Sequence, residues 1–93
     1  MKNGRHVIHL LKGKIFEKRR HYSWAVEEYE MALKLCRENN LPQLILANIK
    51  SRLGWARIRD KRDVPQGIQE MRDANAIVPH NNDYAYKLAL SIF

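Results

Sequence analysis

Residues 13–35 decide the fold, and they read GKIFEKRRHYSWAVEEYEMALKL. In and just after this stretch, larger side chains recur every three or four residues, the spacing of one helix face. Those side chains are Val26, Tyr29, Leu33 and Cys36. Ala25 and Ala32 lie beside them and permit close approach of a second helix. No strand pattern competes, because β-branched and polar residues never alternate for more than a few positions.

Outward from this stretch, the chain divides into helical segments at turn-forming residues. A first helix is predicted from about Arg5 to Arg20, and a second from Trp24 to about Glu38 with Ser23 as its N-cap. The apolar stripe of the first helix comprises Ile8, Leu11 and Ile15, with Lys12 and Arg19 at its edge.

Three more helices follow by the same criteria. The third starts near Pro42 and runs to about Asp60. Asp63 and Gln66 have capping-box spacing for a fourth, which ends before Pro79. A short fifth helix follows, so the 93-residue chain is predicted to be all-α, with about five helices.

The helices fall into an internal repeat with an offset of 41 or 42 residues. This offset aligns small residues with small ones and large with large. The aligned pairs are Gly13 with Gly54, Ala25 with Gly67, Tyr29 with Met71, and Ala32 with Ala74. Short helices that repeat in this way usually stack side by side, because one unit alone cannot bury its apolar face.

The pattern resembles the tetratricopeptide repeat, a family of helical hairpins. The residues that carry the resemblance are Gly13, Phe16, Ala25, Tyr29, Ala32 and Leu35, then Leu53-Gly54-Trp55-Ala56, Gly67, Met71, Ala74 and Pro79. The second unit departs from the family at Arg57, where an aromatic is usual, and by one inserted residue near Arg62-Asp63.

The resemblance implies antiparallel helix pairs stacked as a short right-handed α-solenoid. It also implies one domain over 1–93, with repeats at about 6–40 and 41–80 and a partial third helix pair at 81–93. In the family, the leading helix of each pair lines a concave groove that binds peptides.

Charge follows the same division of the chain. Of a net +7, residues 1–24 carry +6 and residues 50–63 carry +4, whereas the segments after each are slightly negative. If the leading helices line a groove, that groove is basic and should prefer an acidic peptide or partner surface.

The expected partner-binding residues follow from the family's concave spacing. They are Lys14, Lys18, Asn48, Ser51, Arg52, Trp55, Arg59, Tyr86 and Lys87. Trp55 could equally pack between helices, since aromatic residues at helical spacing are often core residues. The bases near helix C-termini also stabilise those helices without any partner.

Two alternatives remain open. A pI near 9.9 with clustered bases is also typical of proteins that bind RNA or DNA. The apolar end of the chain predicts either a fragment of a longer array or a homodimer through the C-terminal helix. The residues for self-association are Tyr84, Leu88, Ile92 and Phe93.

Catalytic and metal-binding patterns are missing. The sequence has no phosphate loop, nucleophile elbow or paired carboxylates, which argues against an enzyme and against a cofactor. His6 and His9 lack neighbouring ligands, so no metal is expected. A single cysteine and the lack of any long apolar run predict a cytoplasmic protein in a reducing compartment, not a membrane protein.

Overall fold

The computed structural model describes residues 4–78 of the chain, and this part is all-helical without a strand. Four helices follow one another: α1 (Arg5–Lys18), α2 (Tyr22–Glu38), α3 (Gln43–Asp60) and α4 (Val64–Ile77). The all-α prediction is therefore confirmed for the described residues. The predicted fifth helix lies outside them.

Each helix packs against the next in chain order, with α2 in contact with both α1 and α3, and α3 with α4. The main core lies between α2 and α3, where the largest fully buried side chains include Tyr29, Ile49 and Leu53. Leu10 and Phe16 of α1 pack against this core from the side. The predicted apolar face of α2 is thus the face that builds the core.

Left-handed residues make the turns between the helices short. Arg20, Asn40 and Lys61 have φ values of 62°, 53° and 64°. At the end of α1, the His21 amide donates to the carbonyl of Phe16 over 2.8 Å. This bond, together with the left-handed Arg20, is the Schellman arrangement, which reverses the chain within a few residues.

The predicted capping residues do not cap. The N-cap position of α2 is His21, not Ser23, and no side chain there bonds the helix start. The amide of Ala25 donates to the carbonyl of His21 over 3.0 Å, so the helix has already begun before Ser23, which lies in its first turn. Asp63 does occupy the N-cap of α4, but its side chain makes no capping bond, so the capping box with Gln66 does not form.

Glycines set the distance between paired helices. A Cβ added to Gly13 of α1 would overlap the ring of Tyr29 on α2. A Cβ on Gly54 of α3 would lie 2.5 Å from the Gly67 carbonyl oxygen and 2.7 Å from Cγ of Met71 on α4. Tyr29 and Met71 are the residues that the internal repeat aligns, so the two helix pairs use equivalent positions.

The apolar stripe of α1 does not face the core. Ile8, Leu11 and Ile15 are 56%, 53% and 50% exposed, and the one buried residue of the helix is Gly13. The reason is geometric: at about 100° per residue this stripe lies opposite Gly13, on the side of α1 away from α2.

Candidate partner-binding site

A pocket of about 240 Å³ is lined by Lys14, Glu17 and Lys18 of α1 and by Arg52 of α3. Lys14, Lys18 and Arg52 are all among the partner-binding residues that the resemblance to the tetratricopeptide repeat implied. The fold brings them together although α1 and α3 are separated in the chain by the whole of α2.

The hydroxyl of Tyr29 on α2 lies next to two residues that line this pocket, Glu17 and Arg52. Its ring is fully buried, and its hydroxyl donates a hydrogen bond of 2.7 Å to Oε1 of Glu17. Burial and then the bond to Glu17 raise the pKa of the Tyr29 hydroxyl, so it remains a neutral donor. The bond holds one oxygen of the Glu17 carboxylate at the α2 side.

The electrostatic balance of the pocket is positive, since three cations face one carboxylate. Within the described residues, Nε of Arg52 is buried and has no hydrogen-bond partner. An anion in the pocket would meet the charge of the Arg52 guanidinium rather than this buried atom, together with the ammonium groups of Lys14 and Lys18. The arrangement is suited to hold a carboxylate.

Arg59 of α3 lies between two aromatic rings. Its guanidinium carbon is 5.6 Å from the ring centre of Tyr22 and 5.9 Å from that of Trp55. Both distances are in the range of cation–π attraction. Trp55 is neither buried nor fully exposed. It therefore packs against Arg59 and still keeps part of its surface in reach of a partner.

The other predicted residues have mixed outcomes. Asn48 is half-buried on α3, but Ser51 is 3% exposed. Because Ser51 packs inside the helix assembly, the expectation that it contacts a partner is not supported, and we leave it out of the site. Six predicted residues lie outside the described part of the chain: Tyr84, Tyr86, Lys87, Leu88, Ile92 and Phe93.

A second pocket, of about 350 Å³, lies among α2, α3 and α4 and contains Arg57 and Glu70. Nε of Arg57 donates to Glu70 over 2.8 Å, and Nη2 donates to Glu30 over 3.0 Å. Arg57 is thus already paired with two carboxylates, and the pocket as a whole is balanced in charge, with three bases and three carboxylates in its lining: Lys34, Arg37 and Arg57 with Glu30, Glu38 and Glu70. For this reason we favour the smaller pocket as the binding site.

Sequence reasoning missed this ion cluster. Arg57 and Glu70 are 13 residues apart on different helices, so no local spacing connects them. Burial raises the pKa of Glu70, and the charge of Arg57 lowers it only in part. Burial lowers the pKa of Arg57, but Glu70 and Glu30 outweigh that effect and leave it raised. The only signal was Arg57 itself, a base where the resembling family has an aromatic.

Nothing in residues 4–78 forms a metal centre, since no group of three or more His, Cys, Asp or Glu side chains could hold an ion. Nδ1 of His9 instead lies 2.9 Å from Oε1 of Glu28 on α2. Cys36 is fully buried, and burial raises the pKa of its thiol. Cys36 is therefore a core residue, and a buried thiol with a raised pKa is a poor nucleophile.

Comparison of the chain with models of protein families, with curated proteins and with solved structures gives no match. In the part of the chain described here, every helix is too short or too polar to cross a membrane.

Proposed function

We propose that this chain is a non-enzymatic interaction module that binds an acidic peptide or acidic partner surface through its basic face. In this proposal the helices form a short right-handed solenoid of the tetratricopeptide-repeat type, working in the reducing cytoplasm. The observation that supports it most is the pocket in which Lys14, Lys18 and Arg52 meet.

The chemistry of the pocket favours a carboxylate over a neutral ligand. Hydrogen bonds between a cation and a carboxylate are about twice as strong as those between neutral groups. A carboxylate in the pocket would lie beside the guanidinium of Arg52 and the ammonium groups of Lys14 and Lys18. An Asp or Glu side chain of a partner supplies this group.

The surface next to the pocket provides apolar contact. Asn48, Trp55 and Arg59 lie along the same side of α3 as Arg52, by the helical spacing of their positions. Trp55 and Tyr22 with Arg59 between them offer flat apolar surface beside a cation. An acidic segment with an apolar residue next to its carboxylates would use both parts of this surface.

The test is the binding of a labelled peptide library rich in Asp and Glu, measured by fluorescence anisotropy. The double variant Lys14→Glu/Lys18→Glu should weaken binding about tenfold or more at low salt. Lys34→Glu/Arg72→Glu is the matched control, because it changes the net charge equally at exposed positions outside the pocket. This control should change affinity about twofold or less.

Unchanged affinity in the pocket variant would refute the proposal. The proposal would also be refuted if the protein bound an arbitrary oligonucleotide and not the acidic peptides, with an affinity that falls steeply between low and physiological salt. That pattern is typical of phosphate contacts and would favour the nucleic-acid alternative.

A further inference from the structure

The outward face of α1 is unusual for a soluble helix bundle. Four large apolar side chains lie exposed on it, with Val7 42%, Ile8 56%, Leu11 53% and Ile15 50% accessible. Ile8 to Ile15 spans two helical turns, about 10 Å along the helix. We call Ile8, Leu11 and Ile15 together the α1 stripe. Exposed apolar side chains aligned in this way often mark an interaction surface.

The charges beside the α1 stripe are positive on both edges. By helical position, Lys14 and Lys18 lie along one edge, and Lys12 and Arg19 along the other. The acidic residue of α1, Glu17, lies on the α2 side, where it accepts the hydroxyl of Tyr29. An occupant of the stripe would therefore meet cations on either side of its apolar contacts.

This rim of cations selects among occupants. A second copy docked through the same stripe would bring two basic rims together, and like charges in an interface are unfavourable. Residues 79–93 contain one Asp and one Lys, so they offer no excess of negative charge to match the rim. An amphipathic helix with acidic edges satisfies both the apolar stripe and the cations.

We infer that the α1 stripe docks an acidic amphipathic helix of another protein. The helix would present apolar residues at positions i, i+4 and i+7, with Asp or Glu on both sides of them. This surface goes beyond the proposed pocket between α1 and α3, because the stripe faces away from the core. Lys14 and Lys18 are shared by the two surfaces. The α1 stripe itself and its other edge, Lys12 and Arg19, take no part in the pocket.

The probe is a synthetic helical peptide with Leu at this spacing and Glu on both flanks, titrated against the 93-residue protein. The double variant Leu11→Ser/Ile15→Ser should weaken its binding about tenfold or more, because two apolar contacts are lost. The matched control is Met31→Ser/Leu44→Ser, at apolar positions 42% and 66% exposed on other helices. It should change affinity about twofold or less.

A second pair of variants tests the rim. Lys12→Glu/Arg19→Glu should weaken binding of the Glu-flanked peptide at low salt, with the effect shrinking as salt is added. The same peptide flanked by Lys should bind the unaltered protein at least about tenfold more weakly. Circular-dichroism melts of all variants should match that of the control, because the changed side chains are exposed.

Four outcomes would overturn the inference. The stripe variant could bind as well as the control, or the Lys-flanked peptide could bind equally. Self-association of the protein that the stripe variant abolishes would assign the stripe to a second copy. If the peptide does not bind, and the protein binds vesicles of anionic lipid in a way that the stripe variant loses, the α1 stripe would be assigned to a membrane surface. Leu11→Ser/Ile15→Ser leaves the residues of the pocket unchanged. It should therefore weaken binding of the helical peptide but not of the Asp- and Glu-rich library, which separates this inference from the proposed function.

Discussion

The α1–α2 and α3–α4 helix pairs occupy equivalent positions of the internal repeat but are held together differently. In the first pair a glycine makes room for an aromatic ring, Gly13 against Tyr29. In the second pair two glycine backbones meet, Gly54 against Gly67. The polar links that involve a buried residue also differ, since Tyr29 of the first pair places a neutral hydroxyl on a carboxylate and Glu70 of the second forms an ion pair.

This difference shows that a repeat conserves the positions of contact without conserving their chemistry. The overlap at Gly13 is with the ring of a side chain, whereas the overlap at Gly54 includes a carbonyl of a helix backbone, which cannot move without its helix. A buried charge is also less replaceable than a hydroxyl, because losing its partner leaves it desolvated and unpaired. We therefore expect the α3–α4 pair to be the less tolerant of the two.

The largest effect is expected from Arg57→Ala, which breaks the ion pair of the second helix pair. Glu70 is 6% exposed and would lose the base that compensates its burial. Loss of one partner of a buried pair should cost about 3 kcal/mol of unfolding free energy, measurable by urea denaturation. Combining Arg57→Ala with Glu70→Gln should recover part of the loss. An Arg57→Ala protein as stable as the original would show that the cluster is not a structural link.

Alanine at the two repeat glycines compares the helix contacts directly. Gly54→Ala should cost about 2 kcal/mol, because the added Cβ meets the Gly67 carbonyl. Gly13→Ala should cost less, about 1 kcal/mol, because the atoms that its Cβ meets belong to the side chain of Tyr29 and not to a helix backbone. Chemical denaturation of both variants measures the order. Equal costs would mean that the ring of Tyr29 is as fixed as the backbone.

Removing the hydroxyl of Tyr29 tests the polar link of the first pair. Tyr29→Phe keeps the ring and loses the hydrogen bond to Glu17, which should cost about 1 kcal/mol. The matched control is Tyr22→Phe, which leaves the ring beside Arg59 in place and should change stability less. A loss for Tyr29→Phe as large as that for Arg57→Ala would remove the distinction between the two pairs.

The turns are where the two pairs should behave alike. Arg20 ends α1 and Lys61 ends α3, and both adopt the left-handed conformation. Glycine avoids the cost of this conformation, so Arg20→Gly and Lys61→Gly should each stabilise the protein by about 1 kcal/mol. Asn40→Gly should gain less, because Asn tolerates the conformation. Thermal melts measure these changes. A melting temperature for Arg20→Gly or Lys61→Gly below that of the original protein would contradict the expectation.

The smallest effect concerns pH and Glu70. Its folded pKa lies above the ordinary value of 4.5, so the folded state holds the proton more tightly than the unfolded state. This contribution to stability is present below the unfolded pKa and is lost as pH rises through the folded pKa. Glu70→Gln removes this titration, so the difference in unfolding free energy between the two proteins should shift in favour of the variant as pH rises from acid to neutral, on top of a constant cost for the lost charge beside Arg57. Parallel pH dependence of the two proteins would contradict the assigned burial effect.

The sequence predicted much of the fold and part of the candidate site. The start of α3 follows from Pro42 and the end of α4 from Pro79, because proline restricts the backbone locally. The meeting of Lys14, Lys18 and Arg52 was expected from the concave face of the family that the sequence resembles. The burial of Ser51 was not predicted, since burial depends on which neighbour packs there. The direction of the α1 stripe was also not predictable, because a helix pattern shows that a face is apolar but not what covers it.

Local patterns in the sequence by themselves determined the four helices, their order and the glycine positions of the repeat. These features depend on neighbours within a few residues, where propensity and periodicity act. Only the tertiary structure decided that Arg57 is shared by Glu30 and Glu70, that Arg52 reaches the pocket of α1, and that the stripe of α1 faces outward. Those contacts join residues distant in the chain, so they depend on how whole helices pack and not on local sequence.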